Sequence, residues 1–77
     1  MEIQQFIENF ADLLEYSDKS KIQADTKFRD MDEWSSLFAL SVIAMADSEY
    51  KVELKGEEIK TSNTVEDLFN LIKNKKN

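Results

Sequence analysis

Residues 35–46 have the sequence SSLFALSVIAMA, and the fold that we expect for the chain follows largely from this segment. Apart from Ser41, every residue after the two serines is apolar. The run predicts a helix that extends to about Tyr50. Either Ser35 or Ser36 stands at its start, where a side-chain hydroxyl caps a helix by accepting an amide hydrogen bond.

Apolar residues fall on two sides of this predicted helix when successive residues are turned by about 100°. One side is expected to face the core and carries Ala39, Val42, Ile43, Ala46 and Tyr50. The opposite side carries Leu37, Phe38, Ser41, Ala44 and Met45. A chain of this size has few residues left to cover a second face, so the opposite side predicts an exposed patch that binds a partner. A helix buried on all sides is the alternative.

Helices are also expected in the rest of the chain, because it has no proline and a single glycine, Gly56. Many short strands would need more turn residues than this. Residues 2–16 show the spacing of one helical face, which predicts a first helix from Glu2 to Tyr16. Its apolar residues are Ile3, Phe6, Ile7, Phe10, Leu13 and Leu14. The chain is therefore predicted to be all-α.

Between the first two helices the helical periodicity disappears, from Ser17 to Ser35. We expect a long loop there whose isolated apolar residues pin it across the helices. Residues 51–55 alternate in polarity, but the chain offers no second strand to pair with them. They predict an extended connector that inserts two apolar side chains into the core, and residues 56–60 predict a short third helix.

A last helix is predicted to begin at Thr64, where Thr-x-x-Asp resembles a capping box. It is expected to end near Lys73, with residues 73–77 as a frayed tail. The predicted shared core consists of Phe6, Phe10, Phe28, Ile43, Ala46, Leu54, Leu68, Phe69 and Ile72.

Composition limits the chemistry of the chain, whose 77 residues include 16 Asp or Glu and 10 Lys or Arg, for a net charge of −6. Such a length predicts one small domain. The absence of histidine and cysteine removes the usual general base and the thiol nucleophile, so we do not expect an enzyme. Excess acid disfavours nucleic acid and favours a basic protein surface as the partner. No membrane segment or signal peptide is evident, so we expect a cytoplasmic monomer.

The acidic segment Asp30-x-Asp32 resembles the opening of a calcium-binding loop. Such a loop needs an oxygen ligand and a glycine at the positions that Trp34 and Ser35 occupy here. No metal site is therefore predicted.

Four segments carry a resemblance to a known family. They are DKSKI at 18–22, DTKF at 25–28, EWSSL at 33–37 and TVEDL at 64–68. With the predicted first helix, they make nearly the whole chain resemble an acyl carrier protein. The long loop, the connector and the short third helix are features of the same family.

The resemblance implies a four-helix bundle with a short third helix, forming one acyl carrier domain over residues 1–77. In this family a serine in an Asp-Ser-Leu motif receives 4′-phosphopantetheine from coenzyme A. Ser36 matches that serine and Leu37 the leucine, with Ser35 as the second choice for attachment. The chain would tether acyl intermediates as thioesters for fatty-acid, polyketide or specialised acyl-transfer pathways.

The partners implied are a phosphopantetheinyl transferase and the enzymes that load or transfer the acyl group. Contact residues are expected at Leu37, Phe38, Ser41, Ala44, Met45 and Glu49. Further acids expected to steer a basic partner are Asp30, Asp32, Glu33, Asp47 and Glu53.

The chain departs from the family pattern near the site. Ser35 replaces the aspartate of the motif, and Phe38 and Ser41 stand where acids are usual. Both changes remove negative charge where partners of the family dock. Two alternatives therefore stay open: a carrier-like helical interaction protein without phosphopantetheine, and an aminoacyl or D-alanyl carrier.

Overall fold

The computed structural model of the protein describes residues 2–76, which form four α-helices. These helices are α1 (Ile3–Ala11), α2 (Ser36–Tyr50), α3 (Gly56–Thr61) and α4 (Val65–Lys76). Two 3₁₀ turns, Lys19–Lys21 and Phe28–Asp30, lie in the loop between α1 and α2. Within residues 2–76 no strand is present, apart from an isolated antiparallel bridge between Lys27 and Thr64. The predicted all-α class is confirmed.

Helix α1 ends at Ala11, five residues before the predicted end at Tyr16. The amides of Leu13 and Leu14 bond to carbonyls three residues back, at 3.1 and 3.0 Å, so the chain tightens into turns. Glu33 from the long loop then accepts three backbone hydrogen bonds from the residues that follow. A helix to Tyr16 would have to give up these bonds, which a helical periodicity does not reveal.

Helix α4 extends to Lys76 and does not fray from Lys73 as predicted. Lys75 Nζ lies 2.8 Å from a carboxylate oxygen of Glu58 in α3, and Lys76 Nζ donates a 3.1 Å hydrogen bond to the main-chain oxygen of Tyr50. These contacts hold the last turn against two other elements. The remainder of the predicted tail, Asn77, lies outside the described residues.

The predicted start of the last helix is confirmed. Thr64 Oγ1 accepts a 3.1 Å hydrogen bond from the Asp67 amide, and Asp67 Oδ2 accepts one of 3.1 Å from the Thr64 amide. Backbone hydrogen bonds from Asn63 and Thr64 lower the pKa of Asp67. The reciprocal pair satisfies amides that a helix N-terminus leaves without partners.

One core joins all four helices, and eight of the nine residues predicted for it are buried there. The exception is Ile43, which is half-buried and packs against the core. In the connector, Val52 and Leu54 are buried as predicted. In the long loop, Ile22 and Phe28 are buried, so its apolar residues do pin it across the helices.

The buried face of α2 includes Val42, Ala46 and Tyr50 as predicted, but it is wider than predicted on the side of Phe38 and Met45. Phe38 and Met45, predicted to belong to the exposed patch, are buried in the core. The Phe38 ring lies 5.6 Å from the ring of Phe10 and 5.6 Å from that of Trp34, centroid to centroid. This aromatic packing rotates Phe38 inward, and Met45 follows because it lies two turns further along the same face.

Candidate functional site

Two serines begin helix α2, and their side chains have different environments. Ser35 is the N-cap, and its Oγ accepts a 3.1 Å hydrogen bond from the Phe38 amide. Ser36 is the first helical residue; it is exposed, and its hydroxyl makes no hydrogen bond within residues 2–76. Ser36 is therefore the serine whose oxygen is free to react.

The electrostatic setting of Ser36 is that of a helix N-terminus. The first main-chain bond of α2 runs from the Ala39 amide to the Ser35 oxygen, at 2.9 Å. The amides of Ser36 and Leu37 precede it, so they have no acceptor in the helix. Aligned peptide dipoles add partial positive charge at this end, which favours an anionic group on Ser36.

Trp34 fixes the chain just before the cap. Its ring centroid lies 4.8 Å from that of Phe28 and 5.6 Å from that of Phe38, both of which are buried. The tilted aromatic contacts tie the end of the long loop to the first turn of α2. Trp34 thus holds Ser35 and Ser36 against the body of the protein.

A groove between α2 and α3, the α2–α3 groove, is lined by both serines and has a volume of about 350 Å³. Its walls are mostly apolar and include Trp34, Ala39, Leu40, Ile43 and Ile59. Gly56 also lines it, and a Cβ on that residue would have no contact within 4 Å beyond its chain neighbours and the backbone of its own helix. The groove can therefore bind an apolar chain beside Ser36.

Arg29 connects the long loop to the end of α3 along this groove. Its Nη1 donates a 3.0 Å hydrogen bond to the main-chain oxygen of Ile59, and its Nη2 donates one of 2.8 Å to Asn63 Oδ1. The guanidinium carbon lies 5.2 Å from the centre of the Phe28 ring. Both acceptors are neutral, so these contacts position the cation without cancelling its charge.

A second groove, the α1–α2 groove, has a volume of about 450 Å³ and lies on the other side of α2. Four of the six predicted contact residues line it, namely Ser41, Ala44, Met45 and Glu49. Leu37 is not among its lining residues and is 74% exposed, whereas Phe38 is buried. The structure therefore brings four predicted contact residues together, but apart from the groove that Ser36 lines.

Glu33 differs from the other acids expected to steer a basic partner. Its carboxylate accepts hydrogen bonds of 2.9, 2.9 and 2.6 Å from the amides of Glu15, Tyr16 and Ser17. Burial acts to raise the pKa of Glu33, but these hydrogen bonds outweigh it and lower the pKa to about 2. The carboxylate is thus occupied by the chain itself. The other five acids are exposed.

Metal ligation has no geometric support in the described range. Among residues 2–76, no three Asp or Glu side chains lie close enough together to hold an ion. In the same range, no helix combines the length and apolar character needed to cross a bilayer.

Sequence reasoning missed the residues of the α2–α3 groove other than the serines. Leu40 and Ile43 follow Ser36 at i+4 and i+7, so all three lie on one side of the helix. This spacing is the sequence signal from which that wall of the groove could have been predicted. Arg29 and Lys60 lie on separate elements, and no local pattern links them. Their juxtaposition depends on how α3 packs against α2.

No model of a known protein family matches the chain. No curated protein matches it at a significant level. The function of the site must therefore be inferred from its geometry and chemistry.

Proposed function

We propose that the protein is an acyl carrier protein that carries 4′-phosphopantetheine on Ser36 and an acyl group as a thioester at the end of that arm. The observation that supports this proposal is the exposed Ser36 hydroxyl, free of hydrogen bonds in the described range, at the N-terminus of α2 and beside an apolar groove. The four helices, with a short α3, agree with the bundle that the resemblance implies.

Attachment requires Ser36 Oγ to act as a nucleophile towards the pyrophosphate of coenzyme A. A phosphorus–oxygen bond to Oγ would form, adenosine 3′,5′-bisphosphate would leave, and the serine proton would pass to a base. The chain has no histidine, so we assign that base to the transferase. The phosphodiester produced is an anion at the positive end of α2, where the amides of Ser36 and Leu37 favour it.

The bound arm would supply a thiol, which the chain lacks because it has no cysteine. The chain's own residues would position the cargo and limit its contact with water. Apolar side chains of the α2–α3 groove, such as Leu40 and Ile59, can cover an acyl chain that folds back from Ser36. In this proposal the protein acts as a tether and not as a catalyst. Its proposed location is the cytoplasm, with coenzyme A as the donor of the arm.

A reaction with coenzyme A tests the proposal. The purified protein is incubated with coenzyme A and a broad-specificity phosphopantetheinyl transferase, and its intact mass is measured. We expect the wild type and Ser35→Ala to gain one phosphopantetheine group and Ser36→Ala to gain none. No gain in the wild type, or a gain in Ser36→Ala that Ser35→Ala loses, would reject Ser36 as the attachment site.

A second candidate is a carrier-like interaction protein that is never modified. The observation in its favour is the exposure of two large apolar side chains on α2, Leu37 at 74% and Leu40 at 60%. The two residues lie three positions apart on α2 and are therefore neighbours on its surface, and a contiguous exposed apolar patch is typical of a partner-binding surface. Under this candidate Ser36 is unmodified in the host cell, whereas under the carrier proposal at least part of the protein carries the arm.

A further inference from the structure

The α2–α3 groove differs in charge from the protein as a whole. The chain has a net charge of −6, yet among the described residues no Asp or Glu lines this groove. Its charged lining residues are both cations, Arg29 and Lys60. The lining of this groove therefore carries two cations and no carboxylate, whereas the chain as a whole is acidic.

Neither cation is paired with a carboxylate in the part of the chain that the structure describes. Arg29 donates to a main-chain oxygen and to an amide oxygen, which fixes its position and leaves its charge uncompensated. Lys60 lies on α3 and is exposed, and it forms no ion pair among residues 2–76. Both charges can therefore act on a group that enters the groove.

We propose that the groove accommodates an acyl cargo that carries a carboxylate at the end remote from Ser36. The apolar walls bind the chain of such a cargo, and Arg29 and Lys60 attract its anionic end. This inference rests on the proposed carrier function, because it names the cargo of the same site. It also argues against an aminoacyl cargo, whose ammonium group would face two cations.

The phosphodiester of the phosphopantetheine arm is a second anionic group that Arg29 and Lys60 can attract. The cargo is favoured for two reasons. The phosphodiester already has the first-turn amides of α2 as donors. The pantetheine joined to it is also interrupted by two amides, so it covers the apolar walls formed by Trp34, Leu40 and Ile59 less well than an alkyl chain does.

A chemical tether tests the cargo without depending on any transferase. The chain has no cysteine, so Ser36→Cys creates a single thiol at the groove. Its thiolate reacts with alkyl methanethiosulfonates of equal chain length, forming a disulfide and releasing methanesulfinate. The three chains end in a carboxylate, a neutral methyl ester or an ammonium group. Amide NMR shifts of Gly56 and Ile59, together with the Trp34 indole shift, then report occupancy of the groove.

We expect the carboxylate chain to shift these three signals most and the ammonium chain least. Nearby cations should also lower the titration midpoint of the tethered carboxyl by about one pH unit. Lys60→Gln should reduce both effects, whereas Lys73→Gln, which removes the same charge from α4, should leave them unchanged. Equal shifts for all three chain ends, or equal effects of the two lysine substitutions, would overturn the proposal.

The phosphorus signal of the phosphopantetheinylated protein separates the two sources of oxyanion. We expect the ³¹P shift of the phosphodiester to be the same in Lys60→Gln and Lys73→Gln. A shift confined to Lys60→Gln, without an effect on the tethered carboxyl, would assign the cations to the arm and overturn the cargo proposal. Failure of the transferase to modify Ser36 rejects the carrier function instead, because the disulfide tether does not use that reaction.

Discussion

The guanidinium of Arg29 donates a 3.0 Å hydrogen bond to the main-chain oxygen of Ile59, thirty residues further along the chain. A second bond reaches Asn63 Oδ1 at 2.8 Å. Together they join the long loop to the C-terminal end of α3, on one wall of the α2–α3 groove. The loop and the short helix are therefore held together by a side chain that no local sequence pattern marks.

Removing this link should loosen α3. Each hydrogen bond contributes about 0.5–1.5 kcal/mol, so we expect Arg29→Ala to lower the free energy of unfolding by about 1–2 kcal/mol. Arg29→Lys keeps the positive charge but loses the paired N–H donors of the guanidinium. Its free energy of unfolding should lie between those of the wild type and Arg29→Ala. Urea unfolding measures the change, and hydrogen exchange of the Ile59 amide localises it. An Arg29→Ala protein with wild-type stability and exchange would contradict the role of this link.

Ser35→Ala and Ser36→Ala should differ in their effect on the free energy of unfolding. Ser35 caps α2 through its Oγ, so Ser35→Ala should cost about 1 kcal/mol of unfolding free energy. Ser36→Ala removes an exposed hydroxyl without a hydrogen bond in the described range and should change stability by less than about 0.5 kcal/mol. Urea titrations of both variants check this, and the reverse order would show that Ser36 is the capping residue.

Glu33 should make the free energy of unfolding decrease as the pH is lowered. Its pKa is about 2 in the folded protein, against 4.5 for an ordinary glutamate, so between these values the unfolded chain binds more protons. The contribution of Glu33 is thus fully present above about pH 4.5 and is lost as the pH falls through about 2. We expect Glu33→Gln to be less stable than wild type at pH 7, with the difference closing towards pH 2. Thermal melts across this range check the prediction, and a gap that is independent of pH would contradict it.

Phe69 tests the placement of the last helix. Its ring lies 5.8 Å from that of Phe6, centroid to centroid, and the side chain is buried. Replacing a buried phenylalanine by alanine costs ~3 to 5 kcal/mol, comparable with the whole stability of a small domain. Phe69→Ala should therefore largely unfold the protein in a circular dichroism melt, whereas the control Leu37→Ala should melt as wild type does. Identical melts for Phe69→Ala and wild type would contradict the core assignment.

Recognition by the transferase should depend more on apolar contact than on the remaining acids. Exposed charge pairs contribute only ~0 to 1 kcal/mol, whereas burying a leucine side chain contributes ~1.5 to 3 kcal/mol. Met45→Ala cannot test apolar contact with the transferase by itself, because Met45 is buried and the substitution would also disturb the core. We therefore expect Leu37→Ala to reduce kcat/KM for modification more than Glu49→Gln does. The opposite order on folded proteins would favour electrostatic docking.

Helical periodicity predicted the class, the number of helices and most of the core, because burial repeats regularly along each helix. It failed where a distant residue decides the outcome. Glu33 ends α1 early by binding its following amides, and the ring of Phe10 draws Phe38 into the core. Lys75 extends α4 by pairing with Glu58 of α3.

The position of the candidate site at the start of α2 was predictable from the sequence, but the roles of its two serines were not. A serine before an apolar run marks a helix start, and either Ser35 or Ser36 could have been the cap. Only the 3.1 Å bond from the Phe38 amide to Ser35 Oγ distinguishes them. The cationic side of the groove depends on the packing of α3, which brings together residues from two separate elements.

Under the proposed function, Ser36 carries a phosphopantetheine arm in the cell. The most direct test is the intact mass of the protein isolated from its host, followed by fragmentation to locate any added group. We expect at least part of the protein to carry one phosphopantetheine, alone or acylated, and the group to lie on Ser36. A preparation that is wholly unmodified, or one with the group on Ser35, would contradict it.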